Sequence, residues 1–331
     1  MESNRIASRR LGGSPLQVSP VGLGCWQFSQ ATGVAGRYWG QLPRETVRRI
    51  VGVSLQSGIN WFDTAEVYGW GASENELSEA LKYHGVKRGE VLIATKWFPL
   101  LRSAASIVRS FDKRMSALGG FPVDLYQIHF AGSWSTIERQ MESMAELYEA
   151  GKIRAVGVSN FNAAQMRRAH DALARRSIPL ASNQVRFNLL DREIEHNGVL
   201  AAAQELGISI IAYSPLAQGL LSGKFHANPD LIKLRPGPRR LQKRFRRAYL
   251  EKTAPVIERL RTVARKHDAA PASVALAWVT HVHGNSVVAI AGATKVRHAE
   301  ANAAALRVKL SPDDLVELNG ATETGKTVAN S

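Results

Sequence analysis

A short apolar or β-branched run recurs eight times along the chain, and an amphipathic stretch follows most of these runs. The runs cover residues 21–24, 59–62, 91–95, 125–128, 155–158, 180–185, 208–212 and 287–290. Helix-patterned segments lie at 45–56, 73–83, 104–118, 136–149, 163–174 and 198–205. The spacing is roughly 30 residues, the length of one strand–crossover unit of a parallel sheet. Eight such units, with no linker or low-complexity break, fit a closed (β/α)8 TIM barrel and a single domain over residues 1–331. An open doubly wound sheet is the alternative. It calls for a glycine-rich phosphate turn after the first strand, and Gly22-Leu23-Gly24-Cys25-Trp26-Gln27 lacks the third glycine of that pattern.

Two segments break the regularity. Residues 11–18, with Gly12-Gly13 inside, read as an N-terminal β-hairpin closing one barrel end. The interval between the seventh and eighth strands is more than twice the usual length and adds helix patterns at 253–266 and 272–280. An insertion there sits on the face where barrels carry chemistry.

The residues that stop the runs narrow that chemistry. The second run ends in Asp63, with Tyr68 in the turn beyond it; the third leads to Lys96 and the fourth to His129. A charge at the edge of a core is costly unless paired, and an aspartate and a lysine on neighbouring strands solve the problem together. A free phenol titrates near about 10, and a nearby ammonium lowers that value. The carboxylate would hold the ammonium in place, while an imidazole donates to or orients a substrate oxygen. Such a set protonates a carbonyl under reduction or deprotonates an alcohol under oxidation. No side chain supplies hydride, so a cofactor must. Taken singly, each residue has a plainer use: a helix cap for Asp63, a solvated lysine for Lys96, packing for Tyr68 and a structural hydrogen bond for His129.

Asp63, Tyr68, Lys96 and His129, at these spacings, resemble the catalytic tetrad of the aldo-keto reductase superfamily, and the resemblance runs from about residue 10 to residue 320. It implies an NADP(H)-dependent carbonyl reductase with Tyr68 as general acid/base. It also implies that Ser159, Asn160 and Gln184 hold the nicotinamide carboxamide and that Tyr213 stacks on the ring. Ser214, Pro215 and Leu216 would line the pyrophosphate, with Gln218, Gly219 and Lys224 beyond them, and Gly24, Cys25 and Trp26 join the cofactor contacts. The stretch from Ala217 to Lys224 looks like the short-loop reductases and channel β-subunits, so a nucleotide-sensing regulatory subunit with little turnover is the alternative. Arg239 would meet the adenosine 2′-phosphate, Gly292, Thr294 and Lys295 the nucleotide phosphate, and Asn302 the adenine. The sequence departs from the family at His298, where many members have arginine, and at Ala301, where many have glutamate. Arg239, Lys295 and Arg297 can substitute, which favours NADP(H) over NAD(H).

Trp26, Trp97 and Phe130 follow strand ends and Trp70 and Trp134 lie in adjacent turns, so these aromatics are expected to rim the substrate carbonyl. The partner is then a small-molecule carbonyl compound, whose identity the sequence does not encode, and it does not encode oligomeric state either. The formal charge of +15 is partly local, since residues 233–247 carry eight lysines and arginines and no acid. That run has no zinc-finger, RRM or basic-zipper pattern, which weighs against a nucleic-acid partner. No apolar run approaches the ~20 residues that span a bilayer, and the first ten residues have no apolar signal core. One cysteine, Cys25, permits no internal disulfide and suits a reducing, cytoplasmic setting. His281 and His283 lack a third partner, so no metal is expected.

Overall fold

All eight runs become parallel strands, because a strand covered on both faces must be apolar almost throughout. The computed structural model describes residues 7–33, 38–235 and 240–323, with only the backbone of 322–323. Two short strands, β1 (Arg9–Arg10) and β2 (Gln17–Val18), pair antiparallel. The rest are β3 (Val21–Gly24), β4 (Trp61–Asp63), β5 (Leu92–Trp97), β6 (Val123–Ile128), β7 (Ile153–Ser159), β8 (Leu180–Arg186), β9 (Ser209–Tyr213) and β10 (Val287–Gly292). They pair in sequence order, and β10 returns to β3 with Ala289 opposite Val21, so the barrel closes. The open sheet is thereby excluded.

Alternation along each strand sorts the side chains. Inward-facing Trp61, Ala94, Leu125, Ala155, Ala181, Ile211 and Val288 pack with Leu11, Leu16 and Val18 of the hairpin into a closed floor. The hairpin is anchored by the Gly12 amide donating to Ser209 Oγ at 2.7 Å, and Trp61 Nε1 donates to Ser19 O at 2.9 Å. A Cβ on Gly22 would lie 2.3 Å from the Trp61 ring, so only glycine admits that indole into the floor. Outward-facing Phe62, Ile93, Tyr126, Val156 and Ile210 meet the helices in a larger core.

The helices match the amphipathic stretches: Arg44–Gln56, Ala72–Tyr83, Ala105–Ala117, Ile137–Glu149, Ala163–Ala174 and Val199–Glu205. Ala163–Ala174 starts at a capping box, in which Asn162 Oδ1 accepts from the Gln165 amide and Gln165 Oε1 accepts from the Asn162 amide. The long interval between β9 and β10 holds helices Arg247–Lys266 and Pro271–His281, as the spacing required. No helix among the described residues is long and apolar enough to cross a membrane.

Candidate active site

The C-terminal ends of β4, β5 and β6 bring Asp63, Lys96 and the residue after Ile128, His129, to one place. Tyr68 joins them because the chain leaving β4 turns back over the barrel mouth. That turn closes through positive φ at Gly69 (75°) and Trp70 (54°). A Cβ on Gly69 would sit 2.5 Å from Ser29 O, so glycine is required on steric grounds as well.

Lys96 is fully buried, and its Nζ donates to Asp63 Oδ1 at 2.5 Å and to Thr64 O at 2.8 Å. Asp63 Oδ2 in turn accepts from Gln184 Nε2 at 2.8 Å and Gln127 Nε2 at 3.2 Å. The carboxylate thus gains three donors, which is what its burial demands. Burial alone would discharge the ammonium, but Asp63 and Tyr68 outweigh it and the Lys96 pKa is raised. Lys96 Nζ stands 5.1 Å from the centre of the Tyr68 ring.

The Tyr68 phenol differs from the expectation. Burial raises its pKa above the ordinary 10, and the Lys96 ammonium only partly offsets this. Tyr68 therefore stays protonated through the neutral range, the state a general acid needs. The His129 ring is edge-on to it, with centroids 5.8 Å apart. Burial, and then the Lys96 charge, push the His129 pKa down to about 3, so the imidazole is neutral at neutral pH. Its Nδ1 is buried with no hydrogen-bond partner among the described residues. Neutral imidazole beside protonated phenol offers one oxygen of a ligand two hydrogen-bond donors and no formal charge.

The residues expected to hold a cofactor form an arc around this centre, from β7 to β10. Ser159 Oγ donates to Gln184 O at 2.8 Å. Asn160, held at φ 57°, donates to His129 O at 3.1 Å and accepts from the Tyr213 hydroxyl at 3.0 Å. The Gln184 side-chain amide is committed to Asp63 as described, a role that was not expected of it. After β9, Ser214, Ala217, Gln218 and Gly219 all have positive φ, which curls the segment that also carries Pro215 and Leu216 into the kind of concave backbone that receives anions. Lys224, Lys295 and Arg297 converge on His298, and burial together with these cations lowers its pKa to about 4. His298 is thus neutral, and its Nδ1 lies 3.2 Å from Thr294 Oγ1. Lys295 directly precedes helix Val296–Ala305, whose N-terminus also favours an anion. Asn302 Nδ2 donates to Ala291 O at 3.3 Å. This donor set fits a dinucleotide with phosphates toward β9 and β10. Arg239 lies outside the described residues, as do 236–238.

Gly24 pairs in register with both Asp63 and Gly292, and so lies where β3 meets the two halves of the arc. The Cys25 thiol is fully buried and its pKa is raised well above the ordinary value by burial, then by Asp63. Trp26 stacks between Tyr38 (4.9 Å) and Tyr68 (5.6 Å) and forms one wall of the mouth. Trp97 is corrected: it is not on the rim. β5 runs on through it, alternation turns its indole outward, and the buried ring donates from Nε1 to Ser106 Oγ at 3.1 Å. Phe98 takes the place expected of it, edge-on to Trp70, His129 and Phe130. Trp134 is exposed in the neighbouring turn. Tyr38, Gln127 and Phe98 were missed; Gln127 carried the one readable signal, two residues before His129 at the end of an apolar run.

The model of the Aldo/keto reductase family matches residues 20–323. The chain belongs to this family. It is 39% identical over 315 residues to an uncharacterized oxidoreductase of Mycobacterium tuberculosis, covering 95% of this chain and 92% of that protein. It is 32% identical to the chloroplastic pyridoxal reductase of Arabidopsis thaliana, covering 93% and 84%. Among solved structures, the glycerol dehydrogenase from Gluconobacter oxydans superposes with a TM-score of 0.80 at 27% identity, covering 96% and 95% of the two chains. Family membership supports an oxidoreductase that acts on carbonyl compounds and a nicotinamide cofactor.

Proposed function

We propose that this chain is an NADP(H)-dependent carbonyl reductase, a single barrel domain working in the cytoplasm. The observation that carries the reading is the convergence of Tyr68, Lys96, Asp63 and His129 at one barrel mouth. A bound reduced nicotinamide supplies the hydride; everything else falls to side chains of this chain. Tyr68 and His129 would receive the substrate oxygen, orient the carbonyl and polarise it. The Tyr68 hydroxyl would release its proton to that oxygen as negative charge builds there, and Lys96 would stabilise the phenolate left behind. Asp63, fixed by Gln127 and Gln184, would keep Lys96 charged and aimed.

Convergence of Lys224, Lys295 and Arg297 supports NADP(H) over NAD(H), because a 2′-phosphate adds up to two negative charges at that end. Trp26, Trp70, Phe98 and Phe130 offer ring faces and edges, which favours aldehydes with flat, apolar bodies. The similarity to a pyridoxal reductase places pyridoxal itself on the panel of substrates. The test is NADPH consumption with aromatic aldehydes, pyridoxal, glyceraldehyde and short aliphatic aldehydes, with NADH in parallel, for the parent and for Tyr68→Phe. Tyr68→Phe is expected to lower kcat by at least about 10²-fold with NADPH affinity within a factor of two or so, since general acid catalysis contributes about 10²–10⁴-fold. Retention of parental turnover by that variant would overturn the mechanism. Tight NADPH binding with no turnover across the panel would transfer the protein to the nucleotide-sensing alternative.

A further inference from the structure

Outside the barrel wall, at the C-terminal end of β5, four charged side chains meet between that strand and the segments packed on it. Glu74, fully buried in the first turn of helix Ala72–Tyr83, accepts from Thr95 Oγ1 at 2.6 Å. Arg114 Nη1, on helix Ala105–Ala117, lies 3.0 Å from the other Glu74 oxygen, without hydrogen-bond alignment, and 3.7 Å from Glu66 Oε2. Glu66, also buried, accepts from the Phe98 amide at 2.6 Å and from Arg102 Nη1. The Tyr126 hydroxyl is buried beside the cluster with no hydrogen-bond partner among the described residues, and burial followed by Glu66 raises its pKa.

The arrangement has a symmetry that bears on the site. Glu66 and Glu74 bracket Tyr68 in sequence, while their partners Thr95 and Phe98 bracket Lys96. The two carboxylates therefore fasten the turn that carries the phenol to the strand that carries the ammonium, once on each side of both residues. Among the described residues the backbone repeats the join in the first part of the turn, where the Thr64 amide donates to Ala94 O at 2.8 Å and the Glu66 amide to Lys96 O at 3.2 Å. Past Glu66 the turn reaches β5 through Glu74 on Thr95 and through Tyr68 beside Lys96, while Trp70 meets Phe98 just beyond the strand. Buried ion pairs contribute little net stability compared with well-packed apolar residues, so their use here is geometric.

We propose that Glu66 and Glu74 are positioning residues that set the separation of Tyr68 and Lys96. The proposal rests on the reading of Tyr68 as the general acid and deepens it. If the clamp loosens, the ammonium recedes and its opposition to the burial of the phenol weakens, so the Tyr68 pKa moves further up. The groups that face the phenol, Lys96, Asp63, His129 and Tyr213, are all left intact by changes at 66 and 74.

The experiment uses the full chain carrying Glu66→Gln, Glu74→Gln or Thr95→Val. Tyrosinate absorbance is titrated without cofactor, each variant against its own Tyr68→Phe double, so the difference isolates the Tyr68 phenol. Reduction of 4-nitrobenzaldehyde by NADPH is followed across the alkaline range. The expected result is an upward shift of the Tyr68 titration by about one pH unit in the glutamine variants. It is accompanied by a loss of kcat of about 10- to 100-fold, as for sub-ångström misplacement of a reacting group. NADPH affinity is expected to be unchanged. Thr95→Val, which removes one hydroxyl, should shift the titration in the same direction by less, and it serves if a glutamine variant does not fold. A Tyr68 titration unmoved in every folded variant overturns the proposal. Full turnover in Tyr68→Phe alone would instead overturn the reading beneath it.

Discussion

Replacing Asp63 by asparagine tests the centre of the site without any substrate. Asparagine has the same shape but only one oxygen to share between Lys96 Nζ on one side and the Gln127 and Gln184 amides on the other. Whichever way it turns, an N–H group faces a donor, and the fully buried ammonium loses its countercharge. Breaking a buried pair by removing one partner costs about 3–5 kcal/mol. For 331 residues, an unfolding entropy of about 2.1 cal/mol/K per residue gives about 0.7 kcal/mol/K, so Tm should fall by roughly 4–7 °C. The pH dependence discriminates further. In the parent, the folded Lys96 pKa is raised, so its contribution is fully present below the ordinary lysine value and is lost only as pH rises beyond it. In Asp63→Asn only Tyr68 is left to oppose burial, the lysine pKa falls below that value, and stability rises with pH as the ammonium discharges. Chemical denaturation at a series of pH values from neutral to mildly alkaline measures both slopes. A variant within about 1 kcal/mol of the parent, with the same slope, would refute the argument that Asp63 carries Lys96.

Glu74 supplies a second linkage of opposite chemistry. Burial raises its pKa to about 7, despite Arg114 and Thr95, so its contribution is present below about 4.5 and is lost as pH climbs through 7. Glu74→Gln should therefore cancel a decline of about 3 kcal/mol between pH 4.5 and 7.5 in the parent, read as the difference between two urea titration series; equal slopes would refute the shift. Asn162→Ala removes the cap of helix Ala163–Ala174 and should cost about 1 kcal/mol by thermal unfolding, with NADPH affinity intact. A marked fall in affinity would instead show that the cap and the neighbouring Asn160 act as one unit.

The barrel was legible because it is written locally. Each strand is an apolar run and each outer helix a 3.6-residue stripe, and the eight units needed no distant information to be recognised. The meeting of Asp63, Lys96 and His129 was legible for a related reason: strand ends are the one place where a buried run can stop on a charge that has partners. Trp97 shows the limit. Ending β5 at Thr95 put the indole in a loop, whereas two more residues of strand placed it on the outer face, and a one-residue change of register reverses every side chain. Tyr38 sits in an irregular segment with no period to read. Nothing in the sequence singles out Glu66, Glu74 and Arg114, since residues of these types are rarely buried. Only the folding of three separate elements onto β5 shows them to be partners. The raised Tyr68 pKa had the same origin, because sequence reveals the neighbouring ammonium but not how thoroughly the fold removes water from the phenol.

The pairing of β10 with β3 has a consequence for how the chain is made. The two strands that seal the barrel come from opposite ends of the described sequence, with Val21 hydrogen-bonded next to Ala289. At ~5–20 residues per second of synthesis, one edge of β3 waits on the order of tens of seconds for its mate. Throughout that interval the nascent sheet presents an unpaired apolar edge, the form most prone to pair with another chain. Ribosome-bound chains ending before residue 287 are where association between copies should concentrate, and a chaperone that shields strand edges would act at that stage of the protein's life.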